Sequence, residues 1–164
     1  MYTFGVLVKH IVPTQLGLQL ATNLNLLTSH YSQISPIVFN ETFPQLPMPL
    51  NFPLIQNRDV WLFDGPVIAT SIETAQILLQ SPKPYPKFFY VWNLDWIYSK
   101  QTPLSFFTNT YLNQDIRLIA RSTQHANIIE NCWKKPVTII KDFNYHDIAK
   151  LIIETGRQLS KPII

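Results

Sequence analysis

Short, nearly unbroken apolar runs alternate with stretches of helical spacing along this chain, and no other feature constrains the fold as strongly. Residues 4–11 form the first run (Phe4-Gly5-Val6-Leu7-Val8-Lys9-His10-Ile11) and read as a strand buried on both faces. Leu16, Leu20, Leu24 and Leu27 then recur at helical spacing behind Pro13, which suits a first turn. Pro36–Phe39, Val60–Phe63, Pro66–Thr70, Lys87–Trp92, Ile116–Arg121 and Pro136–Ile140 read as further strands. Helices are expected from Ile72, over about 103–113, after Ser122 or Thr123, and from Tyr145. Thr70 and Glu73 fit a capping box ahead of the second helix. The alternation predicts an α/β fold: a Rossmann-like, mostly parallel sheet with helices on both faces, in a single domain over residues 1–164.

One segment interrupts the series. Pro44, Pro47, Pro49 and Pro53 lie close together within residues 41–57, which excludes a helix or a central strand there. We expect an extended surface loop or lid rather than a domain boundary.

Composition narrows the function. The chain has 164 residues, 46% apolar and only 14% charged, which excludes intrinsic disorder. One cysteine, Cys132, excludes a disulfide framework and a thiolate metal cage, and it reads as a core thiol on an amphipathic helix. His125 and His146 have no ligand spacing, so no metal site is expected. Only four glycines are present, none placed for a phosphate-cradling loop. No apolar run is long enough to span a bilayer, and no basic region precedes the first one, so we expect a cytoplasmic protein without a signal peptide. Asn40-Glu41-Thr42 fits a glycosylation sequon, which chance explains in that setting. The net charge of +3 divides unevenly: residues 1–82 carry two bases against four acids, and residues 83–164 carry eleven against six. The bases are scattered, which argues against nucleic acid as a partner.

In a parallel sheet ligands bind outside the carboxyl ends of the strands. The residues expected there are His10, Asp64, Thr70, Ser71, Asn93, Asp95, Arg121 and Ser122. His10 suits a base or a sugar-hydroxyl partner, and equally a structural histidine. Thr70 and Ser71 precede a helix and suit an anion or hydroxyl, or simple capping. Asp95, between Trp92 and Trp96, suits a sugar platform, or a surface acid beside two core tryptophans. Arg121 beside Ser122 suits a phosphate clamp, or a surface ion pair. No nucleophile motif is present, so the catalytic residues stay unassigned.

Four stretches carry a resemblance. They are Val67–Ala75, Lys87–Asp95, Ile119–Ser122 with its helix, and Val137–Phe143. Together they resemble the N-terminal, acceptor-side half of GT-B glycosyltransferases, closest to the rhamnosyltransferase-like branch, over about residues 60–145. The glycine-poor, aromatic-rich style also resembles sugar-transferase-like proteins of viruses. The resemblance implies transfer of a sugar from a nucleotide-sugar, as substrate and without another cofactor, to a glycan or other acceptor. It also implies a cleft lined by Thr70, Ser71, Asn93, Asp95, Arg121 and Ser122. Asn93 stands where the family often has an acid, and Lys9–Pro13 replace its glycine-rich turn. A donor-binding unit would come from a second chain or a homodimer. The alternative is a non-catalytic module of the same fold that binds glycan or protein.

Overall fold

The computed structural model describes residues 1–99 and 101–159. The strands are β1 (Tyr2–Leu7), β2 (Ile34–Asn40), β3 (Leu54–Gln56), β4 (Val67–Ala69), β5 (Lys87–Val91), β6 (Ile116–Ala120) and β7 (Thr138–Ile139). They form one sheet in the order β3-β2-β1-β4-β5-β6-β7, parallel throughout. The helices are α1 (Gln15–His30), α2 (Ile72–Gln80), α3 (Asp95–Tyr98), α4 (Leu104–Tyr111), α5 (Thr123–Cys132) and α6 (Tyr145–Leu159). The fold is the α/β Rossmann-like one expected.

The central strands are apolar on both sides because both sides are covered. Phe4, Val6, Ile68, Phe88 and Tyr90 meet Leu20, Leu24 and Leu27 of α1 and Ile148 and Ile152 of α6 in one core. Leu7, Phe39, Val67, Phe89 and Leu118 meet Ile72, Ala75 and Leu78 of α2, Phe107 of α4 and Ile129 of α5 in the other. Pro36 is tolerated inside β2 for a reason the ladder makes plain. Val38 donates its N–H to Pro53 on the β3 side, and Pro36, two residues earlier, faces the same side before β3 begins.

Several expectations need correction. Val60–Phe63 is not a strand: Asn57–Leu62 form a 3-10 helix with only Val60 buried. The proline-rich segment is not wholly loop, because its last residues form the edge strand β3. Nor is it a lid. Phe52 is buried, Leu46 and Leu50 pack on the first core, and Gln45 donates its N–H to the Ile11 carbonyl at 2.8 Å. Asn25 fixes the segment further, donating to the Pro49 carbonyl and accepting from the Asn51 N–H, each at 2.8 Å. The cap of α2 is Ser71 with Thr74, not Thr70 with Glu73. Cys132, expected in the core, is exposed at the end of α5.

Candidate functional site

The strand order reverses direction between β1 and β4. This switch point forces the β1–α1 and β4–α2 connections apart and opens a crevice at the carboxyl edge. The β1–α1 turn packs closely on its helix there: a Cβ on Gly17 would lie 2.1 Å from the Val12 carbonyl oxygen. Only glycine allows that approach.

A cavity of about 820 Å³ occupies the edge between β4 and β5 and extends under α3 and α4. Thr70, Ser71 and Glu73 line it from the β4–α2 turn, and Trp92, Asn93 and Asp95 from the end of β5. Tyr98, Ser99, Thr102, Phe106 and Phe107 close the far wall. A smaller cavity of about 220 Å³ adjoins it, sharing Thr70 and Ser71 and bounded by Val8, His10 and Thr14.

Local geometry decides what each side chain has left to offer. Thr70 is buried and donates its hydroxyl to the Leu7 carbonyl at 3.2 Å. Ser71 accepts the Thr74 N–H at 3.3 Å, while Thr74 Oγ1 accepts the N–H groups of Thr70 and Ser71 at 3.1 and 2.9 Å. Capping therefore occupies these two residues, and each hydroxyl oxygen keeps accepting capacity. The side chain of Asn93 is exposed, and among the described residues its amide has no hydrogen-bond partner. Asp95 opens α3 half-buried. Burial pushes its carboxyl from 3.8 up to about 6, with the nearby Glu73 carboxylate adding to the rise.

The structure thus brings Thr70, Ser71, Asn93 and Asp95 together, with His10 exposed on the neighbouring rim, its Nδ1 3.2 Å from the Thr42 hydroxyl. It does not bring in the other three. Asp64 precedes β4 and lies at the opposite, amino-terminal edge, because the strand expected to end there is the 3-10 helix. Arg121 is already engaged. Its guanidinium carbon lies 4.0 Å from the Trp92 ring centroid, Nη1 donates to the Trp92 carbonyl at 3.3 Å, and Nη2 is 3.7 Å from Asp142. Those contacts make it a support for the Trp92 wall, not a free phosphate clamp. Ser122 caps α5, accepting the His125 N–H at 3.1 Å, and does not line the cavity. The two tryptophans flanking Asp95 also separate: Trp92 lines the cavity, whereas Trp96 turns toward Tyr111 and Trp133, with ring centroids 4.9 and 5.6 Å away.

Sequence reasoning missed Glu73, Tyr98, Thr102 and Phe106 as cavity residues. Glu73 carried a signal, an acid in the first turn after a strand end, but the capping reading absorbed it. A separate cavity of about 340 Å³ lies between α6 and β5–β7, lined by Arg117, Asp147, Lys150 and Glu154. Its acids and bases balance, and the strand ends that carry the candidate residues do not reach it.

The larger cavity holds two carboxylates and no basic side chain among its described lining residues. Hydroxyls, amides and aromatic faces make up the rest. The two carboxylates make the cavity electrostatically unfavourable to a diphosphate, and its hydroxyls and amides can exchange hydrogen bonds with a polar, uncharged group. No cluster of His, Cys, Asp and Glu suited to a metal ion occurs among the described residues, and none of their helices is long and apolar enough to cross a membrane. No family model, curated protein or solved structure matches this chain.

Proposed function

We propose that this chain is the acceptor-side unit of a GT-B-like sugar-transfer system. It holds a saccharide or similar polyol in the cavity at the carboxyl edge of β4 and β5. The observation that carries the reading is the chemistry of that cavity: hydroxyls, a free Asn93 amide, the aromatic Trp92 and Tyr98, and the Glu73–Asp95 carboxylates around one space. Asn93 donates to and accepts from sugar hydroxyls. Tyr98, largely exposed, covers an apolar sugar face, and the mostly buried Trp92 contributes to the cavity wall.

Asp95 is the base in this scheme. Its carboxyl titrates near 6, so at neutral pH it is ionised and more basic than an ordinary aspartate. It accepts the proton of an acceptor hydroxyl as that oxygen bonds to the donor sugar's anomeric carbon and the nucleoside diphosphate leaves. The leaving diphosphate needs positioned cations or N–H groups, which the described cavity lining lacks. A donor-gripping unit on a second chain would supply them.

Titration of labelled protein with neutral saccharides and, separately, with nucleotide-sugars tests this by amide NMR. Saccharides are expected to shift Ser71, Asn93 and Asp95, and nucleotide-sugars alone to bind weakly. Failure of every saccharide, or tight nucleotide binding in this cavity, overturns the reading.

One observation favours a second reading, a non-catalytic module that binds glycan or protein. Phe43 in the proline-rich segment and Leu62 beside β3 are almost fully and largely exposed, as a docking module requires. Saccharide binding with no turnover in the presence of any partner favours this alternative.

A further inference from the structure

The β3 edge of the sheet is open among the described residues. β3 is a terminal strand with a neighbour on one side only, and all three of its residues are exposed. Exposed edges are ordinarily blunted by charge, proline or a bulge. Here Leu54-Ile55-Gln56 carry no charge, and Pro53 spends its constraint just before the strand. Val38 donates its N–H to the Pro53 carbonyl, so Pro53 and Ile55 turn their backbone groups toward β2. Leu54 and Gln56 therefore turn theirs outward.

The surroundings are apolar. Phe43 is 93% exposed and forms a pocket of about 200 Å³ with Pro44, Leu54 and Ile55. Trp61 and Leu62, on the 3-10 helix that continues directly from β3, are 43% and 71% exposed. With Leu54 and Ile55 these side chains offer roughly 500 Å² of apolar surface, counting a fully exposed aromatic at about 200 Å². Two such patches total about 1,000 Å², near the lower bound of a specific interface before any polar contact is added.

We infer that this edge is the interface between two copies of the chain, joined by antiparallel pairing of β3 with β3 about a two-fold axis at Ile55. A two-fold interface must be self-complementary. This patch meets that condition at its centre, where Leu54, Ile55 and Gln56 are uncharged, and the nearby Arg58 already has an acid beside it in its own chain, Asp59 at 3.9 Å. The axis pairs Leu54 of each copy with Gln56 of the other, so every outward backbone group of β3 lies opposite another strand. The pairing extends the sheet from seven strands to fourteen and leaves the cavity at β4 and β5 open, so it is independent of the saccharide reading.

Sedimentation at several concentrations reads the assembly. A mass of twice the 19.0 kDa chain is expected at tens of micromolar. Leu54→Pro removes only an outward N–H, and Ile55→Lys places like charges on the axis. Both variants should run as monomers while melting cooperatively within a few degrees of the parent. Amide exchange at Leu54 and Gln56 should slow with concentration in the parent alone. A parent that stays monomeric at all concentrations overturns the inference. So does a dimer that both variants leave intact, since its interface then lies elsewhere.

Discussion

Asp95→Asn isolates the energetic consequence of holding a carboxylate in the cavity. A rise from 3.8 to about 6 corresponds to about 3 kcal/mol against the ionised form. Asp95 is only half-buried, and solvent screening reduces the figure to about 1–2 kcal/mol. The sign follows from linkage. The folded-state pKa lies above the unfolded value, so the wild type is unpenalised below pH 3.8 and loses stability as pH rises through 6. Asparagine has nearly the same shape and no charge. The variant should therefore match the wild type at pH 3.5 and exceed it at pH 7.5 by about 3–6 °C in Tm, at roughly 2–4 °C per kcal/mol for a domain of this size. Loss of an acid at the start of α3 offsets only a few tenths of a kcal/mol, because that helix is a single turn. Calorimetric melts from pH 3.5 to 8 check this, alongside saccharide binding, which should weaken. A Tm difference that does not change with pH, or a variant less stable at pH 7.5, refutes the account of Asp95 as a carboxylate kept against a desolvation cost.

Two further substitutions probe the scaffold behind the site. The buried Tyr90 hydroxyl donates to the Ile140 carbonyl at 2.7 Å and accepts the Phe143 N–H at 3.1 Å, so Tyr90→Phe orphans two backbone groups and should cost about 2–4 kcal/mol by denaturant titration. Burial pushes the Tyr90 pKa up to about 12, so the wild type should lose stability between pH 10 and 12, where only its unfolded chain ionises, and the variant should lack that share of the loss. Lys87 is buried and donates to the Leu79 and Ser81 carbonyls at 3.3 and 2.6 Å, satisfying the end of α2. Lys87→Met should destabilise by about 1–3 kcal/mol at pH 7. Burial lowers the Lys87 pKa below 10.5, so the wild type should gain more stability than the variant as pH rises from that lowered value toward 10.5, which a pH series of melts detects.

The strands were legible because burial on both faces demands apolar runs, and β1, β2 and β4–β6 carry them, whereas the partly exposed β7 was read from Val137-Thr138-Ile139-Ile140. Val60-Trp61-Leu62-Phe63 carries the same signature and is helical, since a run of four holds too little periodicity to separate the two. Only exposure of Trp61 and Leu62 between Val60 and Phe63 distinguishes it, and exposure is not written in the chain. β3 was hidden for the converse reason: a three-residue edge strand needs no apolar face. That one exchange moved Asp64 from the carboxyl edge to the amino edge. Thr70, Ser71, Asn93 and Asp95 were found because topology fixes where a parallel strand's end points. The far wall of Tyr98, Ser99, Thr102, Phe106 and Phe107 was not, because α4 is positioned by packing on α2 and β6, which no local pattern encodes.

Arg121 shows how the same edge assigns a cation to structure instead of binding. Its ion pair with Asp142 is half-open to solvent and contributes at most about 1 kcal/mol, whereas the hydrogen bond to the Trp92 carbonyl and the stack on the Trp92 ring contribute about 1–2 kcal/mol together. Arg121→Met keeps the stem and removes all three. It should lower stability by about 1–3 kcal/mol and shift the Trp92 indole N–H resonance, because that ring loses its backing while the cavity side stays unchanged. A phosphate clamp predicts the reverse: a free guanidinium contributes little to folding, and its loss abolishes diphosphate binding. A variant with unchanged melting and lost anion affinity would therefore return Arg121 to the ligand. A destabilised variant with altered saccharide affinity places its effect in the cavity wall, which Trp92 lines and Arg121 supports.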